Sequence, residues 1–218
     1  MEAIANYKFT ARFDDELSVD RGDIVKVLDK EFDRFWYKAE MNGLVGIVPK
    51  NYFRMLEHSW YKGKLTRAEA AEILLNPINS IGAFLIRNSE TEPNEFSLSV
   101  KYENDVRHFK VLRDSKRGLY YLWTNKFNSL NELIAHYRLK IICKQQQIFL
   151  RSMKNDSNPL PFEPLMQAKF DFEPREKEDL EFKADDIIAI IDRRGDDWFY
   201  GYVHGKRGFI PSAYVRPY

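Results

Sequence analysis

The chain has 218 residues, a formal net charge of +1 and a single cysteine. A near-neutral balance excludes the strong field that draws proteins to nucleic acid or an anionic membrane. Cys143 alone excludes an internal disulfide and suits a reducing compartment. Met1-Glu2-Ala3-Ile4 lacks the basic and apolar regions of a secretion signal. No apolar run reaches the roughly 18 residues of a membrane span, so a cytoplasmic protein of one large or several small domains is expected.

In chain order, Ile24-Val25-Lys26-Val27-Leu28 and Trp36-Tyr37-Lys38-Ala39-Glu40 alternate as strands. Asn42-Gly43 behind them is a hairpin turn. This opening region recurs at the end of the chain. Ala5-x-Tyr7-x-Phe9 returns as Ala168-x-Phe170-x-Phe172, and Asp15-Glu16-Leu17 as Glu178-Asp179-Leu180. Trp36, Gly43, Pro49 and Tyr52 return as Trp198, Gly205, Pro211 and Tyr214 once one loop residue is deleted. Each copy of about 55 residues sits near the lower limit for a core of its own. Short strands with turn punctuation predict a small all-β barrel for each. Tyr7, Phe9, Trp36, Pro49 and Tyr52 are too many flat rings for one small core. Exposed together, they form ridges that accept a rigid polyproline II ligand. The acidic loop Asp14-Asp15-Glu16 beside them is either a solvated charge run or a selector for a basic ligand residue.

Ala5-Asn6-Tyr7-Lys8-Phe9, Asp15-Glu16-Leu17-Ser18, Trp36-Tyr37 and Pro49-Lys50-Asn51-Tyr52 resemble a Src-homology 3 (SH3) domain. The resemblance implies a proline-peptide surface of Tyr7, Phe9, Trp36, Pro49, Asn51 and Tyr52, with Asp15 and Glu16 facing a basic ligand residue. Phe13 stands where that family often has an acid, which weakens the selection.

From His58 the patterning changes to mixed helix and strand. Thr66 with Glu69, and Ser129 with Glu132, are capping boxes. Ala68, Ala71, Leu74 and Leu75 follow the first at helical spacing, and Leu130, Leu133, Ile134 and Tyr137 follow the second. Between them lie the strand-like runs Gly82 to Ser89, Phe96 to Val100 and Val106 to Val111, then Tyr120-Tyr121-Leu122. An α+β domain with a central antiparallel sheet between two helices is expected. Phe84-Leu85-Ile86-Arg87 reads as a strand buried on both faces, which carries Arg87 into an interior. An unpaired guanidinium there costs several kcal/mol, on the order of a broken buried ion pair. It is met either by a distant Asp or Glu or by a bound anion. Hydroxyl donors beside an always-charged fork suit a phosphate dianion. Read singly, Arg67 is an exposed helical cation, His108 a core histidine and Lys110 an edge lysine. Converging on Arg87, they require an anion.

Together these residues resemble a Src-homology 2 (SH2) domain from Trp60 to Arg151. The resemblance implies that Arg87 binds a phosphotyrosine phosphate. Arg67, Ser89, the Glu90 backbone, Thr91 and Ser97 line the pocket by the same likeness, with His108 and Lys110 against the ring and phosphate. Trp123 resembles the residue that, in the growth-factor-receptor-bound adaptor branch, blocks the extended peptide path. That likeness implies a phosphotyrosine-x-Asn ligand whose Asn bonds the backbone around Lys110 and Leu122, with Trp123 forcing the turn.

The loop-forming stretch 153–163 reads as a linker between domains at 1–57, 58–152 and 164–218. Pro161-Phe162-Glu163-Pro164 fits Pro-x-x-Pro but has no flanking Arg or Lys. The second barrel resembles SH3 domains through Phe170, Phe172, Glu178, Asp179, Trp198, Pro211 and Tyr214. Ala213 replaces Asn51 there, which removes a side-chain hydrogen bond to a ligand. No phosphate-cradling Gly-rich loop, Cys-x-x-Cys, His-Glu-x-x-His or kinase signature is present. No enzyme activity, cofactor or metal is therefore expected.

The whole resembles the SH3–SH2–SH3 adaptors of the growth-factor-receptor-bound family. The likeness implies binding to tyrosine-phosphorylated receptors or scaffolds, and recruitment to the plasma membrane by them. It also implies proline-rich effectors such as a Ras guanine-nucleotide exchange factor. A regulatory fragment of a tyrosine kinase and a competitive inhibitory adaptor are the alternatives. A monomer and a dimer swapped through the linker or second helix both stay open.

Overall fold

The computed structural model describes residues 1–29, 31–56, 58–92, 95–143, 147–154 and 164–218. The linker expected over 153–163 lies almost wholly outside them, as does the Pro-x-x-Pro stretch apart from Pro164.

The first sheet is built from Glu2–Ala5 (β1), Ile24–Asp29 (β2), Trp36–Met41 (β3), Leu44–Pro49 (β4) and Phe53–Met55 (β5), in the order β4-β3-β2-β1-β5. All its pairings are antiparallel. Asn42 and Gly43 both take positive φ (53° and 85°), as the tight turn between β3 and β4 demands. The expected barrel is not closed. Its terminal strands β4 and β5 share no ladder, because the chain passes between them through a 3₁₀ turn, Lys50–Tyr52. β5 then has only three residues and pairs with β1 instead.

The middle sheet follows helix Arg67–Leu75 (α1). Its strands are Phe84–Asn88 (β6), Phe96–Lys101 (β7), Val106–Asp114 (β8), Leu119–Tyr121 (β9) and Lys126–Phe127 (β10), in the order β10-β9-β8-β7-β6. Helix Leu130–Leu139 (α2) closes the unit. Alternation along β6 sends Phe84 and Ile86 to one face, where they pack with Leu130, Leu133, Ile134 and Tyr137 of α2. Leu85 goes to the other face and packs with Ala70 and Leu74 of α1. One helix therefore covers each face. Full burial of Phe84, Leu85 and Ile86 contributes about 1.5–3 kcal/mol each. The capping box at Thr66 is complete. At Ser129 only half of it forms: the hydroxyl accepts from Glu132 N, while Glu132 Oε2 accepts from Asn128 N. The apolar side of α1 is Ala70, Ala71 and Leu74, and Ala68 and Leu75 face solvent, a stripe offset from the expected one.

The third sheet repeats the first: Leu165–Ala168 (β11), Ile187–Arg194 (β12), Trp198–Val203 (β13), Lys206–Pro211 (β14) and Val215–Pro217 (β15), in the order β14-β13-β12-β11-β15. A bulge between Val27 and Asp29 has its counterpart between Ile190 and Asp192. His204 and Gly205 take positive φ (51° and 81°) where the first copy has Asn42 and Gly43. Like the first, this sheet is open.

The three units dock on one another. The buried Glu2 carboxylate accepts from the backbone N–H groups of Leu130 (2.7 Å) and Asn131 (3.3 Å), capping α2 from the neighbouring unit. Burial pushes its pKa up. Arg207 of β14 bonds both Glu132 and Asp23, so all three units meet there. Ile4, Ile24, Leu56, Tyr200 and Phe209 form an apolar cluster between the first and third sheets. Arg54 and Arg194 flank it on Asp192.

Candidate functional site

Register fixes the site. Arg87 lies opposite Ser97, and Ser97 opposite Lys110, so the three share one face across β6, β7 and β8. It is the face of Leu85, which aims Arg87 at the N-terminal end of α1. One pair further along the same face, Ser99 lies opposite His108, and Ser99 Oγ shares a 2.8 Å hydrogen bond with His108 Nδ1. Burial, then the Arg67 and Arg87 charges, push His108 below its ordinary value of 6.5, which leaves a neutral imidazole near neutral pH.

The Arg87 side chain is 4% exposed. Its Nη1 donates to Glu90 Oε2 (3.1 Å) and lies 3.4 Å from the carbonyls of Leu65 and Asn88. Its Nε is buried with no hydrogen-bond partner among the described residues. A buried orphan donor on a guanidinium marks the edge where an anion would sit. Of the two ways of satisfying this charge, a protein carboxylate is thus present on one nitrogen. Glu90 is 46% exposed, however, and belongs to the loop after β6 rather than to the core.

That loop holds most of the other expected groups. Ser89 Oγ accepts from the backbone N–H of Glu92 (3.2 Å) and more weakly from that of Thr91 (3.4 Å). Lys110 Nζ pairs with Glu95 at 2.8 Å, which raises its pKa. Arg67 contributes its backbone N–H to Glu90 Oε2 (2.9 Å), and its side chain is exposed. The Asn88 side chain turns to the opposite face, where its Oδ1 accepts from Tyr61 Oη at 2.7 Å, so only its backbone carbonyl faces Arg87. Ser99 belongs to that cluster and was not anticipated, although its place two residues beyond Ser97 on the same strand was a signal.

Trp123 is 56% exposed. Its Nε1 donates to Ile142 O (3.3 Å), and its ring stands edge-on to Phe109, with centroids 6.0 Å apart. The β8–β9 ladder ends at Leu112 and Tyr121. Lys110 and the buried Leu122 lie just beyond that end, where the two strands have separated.

On the first sheet the aromatic residues make a continuous ridge. Ring centroids are 5.7 Å apart for Tyr7–Tyr52, 5.8 Å for Phe9–Tyr52 and 6.0 Å for Phe9–Trp36. Tyr7 is 61% exposed, Asn51 is exposed and Pro49 is buried at the base. Asp15 is exposed, whereas Glu16 Oε2 accepts from the backbone N–H of Arg12 and Phe13, which ties down its own loop. The third sheet differs. Phe170 is exposed and stands edge-on to Tyr214 at 5.8 Å, but Phe172 is only 6% exposed and belongs to the core. The cause is Phe182, which occupies the position of Val19 and stacks on Phe172 at 5.4 Å. Phe172 therefore serves as a wall behind Tyr214 rather than as an open ridge. Trp198 packs against the inter-sheet apolar cluster, the half-buried Pro211 precedes the 3₁₀ turn Ser212–Tyr214, and the exposed Ala213 lies within that turn. Glu178 is half-buried, and Asp179 Oδ2 accepts from the backbone N–H of Arg175 and Glu176.

Comparison with known proteins agrees with this geometry. Residues 60–137 match the family model of the SH2 domain, residues 4–50 that of the SH3 domain and residues 165–218 that of the variant SH3 domain. The chain thus carries three domains in SH3–SH2–SH3 order, modular interaction domains whose recognition modes are phosphotyrosine and proline-rich segments. Among solved structures it is similar to CED-2, at 25% identity over 72% of this chain and 94% of that one, with a TM-score of 0.38. Among the described residues no helix is long and apolar enough to cross a membrane.

Proposed function

We propose that this chain is a signalling adaptor of the growth-factor-receptor-bound kind, with units at 1–57, 58–152 and 164–218 joined by 153–163. The observation that carries the proposal is Arg87, a buried guanidinium with an orphan Nε in register with Ser97 and Lys110. A phosphate on tyrosine supplies two charges at the end of a side chain long enough to reach it, and phosphoserine is too short. Ser89, Thr91 and the Glu90 backbone cradle the phosphate from the loop, Arg67 adds charge from α1, and His108 and Lys110 flank the ring.

The exposed Trp123 beyond the β8–β9 ladder supports a turned peptide, whose Asn two residues after phosphotyrosine bonds the strand ends at Lys110 and Leu122. The ridge of Tyr7, Phe9, Trp36 and Tyr52, with Asn51 and Asp15 beside it, takes proline-rich effectors such as a Ras nucleotide-exchange factor. The second SH3 domain binds through Phe170, Trp198, Pro211 and Tyr214, with Phe172 withdrawn into the core behind Tyr214. Two weak grooves on one chain raise effective concentration, so avidity for an effector with several motifs exceeds either affinity by roughly 10²-fold. Phosphorylation of the receptor or scaffold is the switch, and it moves a cytoplasmic adaptor to the plasma membrane.

The test is a phosphotyrosine peptide library screened against the full chain, with and without a proline-rich peptide. Selection of Asn at the second position after phosphotyrosine, with simultaneous proline-peptide binding, is expected. No dependence on phosphorylation, or mutual exclusion of the two peptides, contradicts the reading.

A further inference from the structure

Resting on the phosphotyrosine reading, we propose that Glu90 is a resident counter-ion that a ligand phosphate must displace, so that it sets the affinity of the pocket. Three observations carry this. The cation is fixed and buried, whereas the acid is nearly half exposed on a loop, so of the two only Glu90 is free to leave. One oxygen, Glu90 Oε2, accepts from both Arg87 Nη1 (3.1 Å) and Arg67 N (2.9 Å), holding its charge between the guanidinium and the first turn of α1. The same loop supplies Glu95 to Lys110 (2.8 Å), with Glu92 at 4.0 Å, so the second cation of the pocket is neutralised in the same way.

A buried cation without a partner destabilises a fold. Glu90 supplies Arg87 with one negative charge in the free state, and a phosphate dianion replaces it with two charges on the same group. Glu90 therefore has opposite effects in the two states. It stabilises the empty domain and opposes the ligand, both by occupying Nη1 and by repelling a second anion. A residue that merely shaped the loop would favour stability and binding together. The sign of the two effects separates these roles.

The variant is Glu90→Gln in the full chain, which removes the charge and keeps an oxygen able to accept from Arg67 N. Binding is measured by calorimetry with phenyl phosphate and with a phosphotyrosine-Val-Asn peptide, and stability by thermal melting without ligand. Partly exposed ion pairs are worth up to roughly 1 kcal/mol, so binding of both probes is expected to tighten about two- to fivefold. The melting temperature is expected to fall. Glu90→Ala is expected to change both in the same directions. Unchanged or weaker binding in Glu90→Gln, or tighter binding with no loss of thermal stability, overturns the proposal. The wild-type titration separates the two readings. If it shows no phosphopeptide binding, the phosphotyrosine assignment fails, and the melting comparison alone decides whether Glu90 neutralises Arg87.

Discussion

Replacing Arg87 by lysine keeps the charge and removes the fork. The guanidinium offers an Nε edge with no partner among the described residues and a terminal pair of which Nη1 already holds Glu90 and faces two carbonyls. A phosphate that displaces Glu90 gains two parallel charge-assisted hydrogen bonds from the fork, each worth about 1.5–3 kcal/mol. A lysine ammonium is a point charge on a flexible stem and recovers at most one of them. The expected loss is about 2–3 kcal/mol, or roughly 30- to 150-fold in Kd. Calorimetry of full-length Arg87→Lys with a phosphotyrosine-x-Asn peptide measures this, and circular dichroism and melting check that the fold is retained. Proline-peptide affinity serves as the internal control and is expected to stay unchanged. A folded Arg87→Lys chain that binds the phosphopeptide within threefold of wild type refutes the reasoning, because the bidentate bond would then not be the source of affinity.

Trp36→Lys is expected to weaken proline-peptide binding by the first SH3 domain at least 30-fold, by removal of a ring typical of interface hot spots worth roughly 2 kcal/mol or more. Phosphopeptide affinity should not change, and fluorescence anisotropy with each peptide separates the two effects. Trp123→Thr should relax the demand for Asn on a peptide array and cost little stability, since Trp123 is exposed and has one hydrogen bond among the described residues. His136 joins the SH2 domain to Tyr202 of the second SH3 domain through Nδ1 at 3.1 Å, and burial, with Lys140 adding repulsion, holds its pKa below the ordinary 6.5. Between the folded value and 6.5 the unfolded chain binds more protons, so this contribution is complete above pH 6.5 and is lost as pH falls through that window. Melting curves from pH 7.5 to 5 should therefore fall more steeply for wild type than for His136→Gln.

Much of this was legible in the sequence because local chemistry admits few answers. Asn42-Gly43 and His204-Gly205 demand the positive φ they show, the Thr66 box closes as its spacing requires, and a branched apolar run bordering Arg87 could only bury it. What could not be read depends on side chains choosing between neighbours. Glu90 reaches Arg87 from a loop in which Ser89 Oγ accepts from the backbone N–H groups of Thr91 and Glu92. Phe172 enters the core because a remote Phe182 stands where the first copy has Val19. Glu2 caps a helix in another domain, a contact no local pattern encodes. The barrels failed to close for a related reason, since pairing at an edge depends on how the 3₁₀ turn delivers the last strand.

The most direct test of the central claim watches Arg87 itself. In the proton–nitrogen NMR spectrum of the full chain, the Arg87 Nε–H resonance, assigned with Arg87→Lys, is followed while a phosphotyrosine-x-Asn peptide and its unphosphorylated twin are titrated. A large downfield shift with the phosphopeptide alone, saturating at one equivalent, is the predicted result. An Arg87 resonance that stays fixed while the phosphopeptide binds would place the phosphate elsewhere and contradict the account.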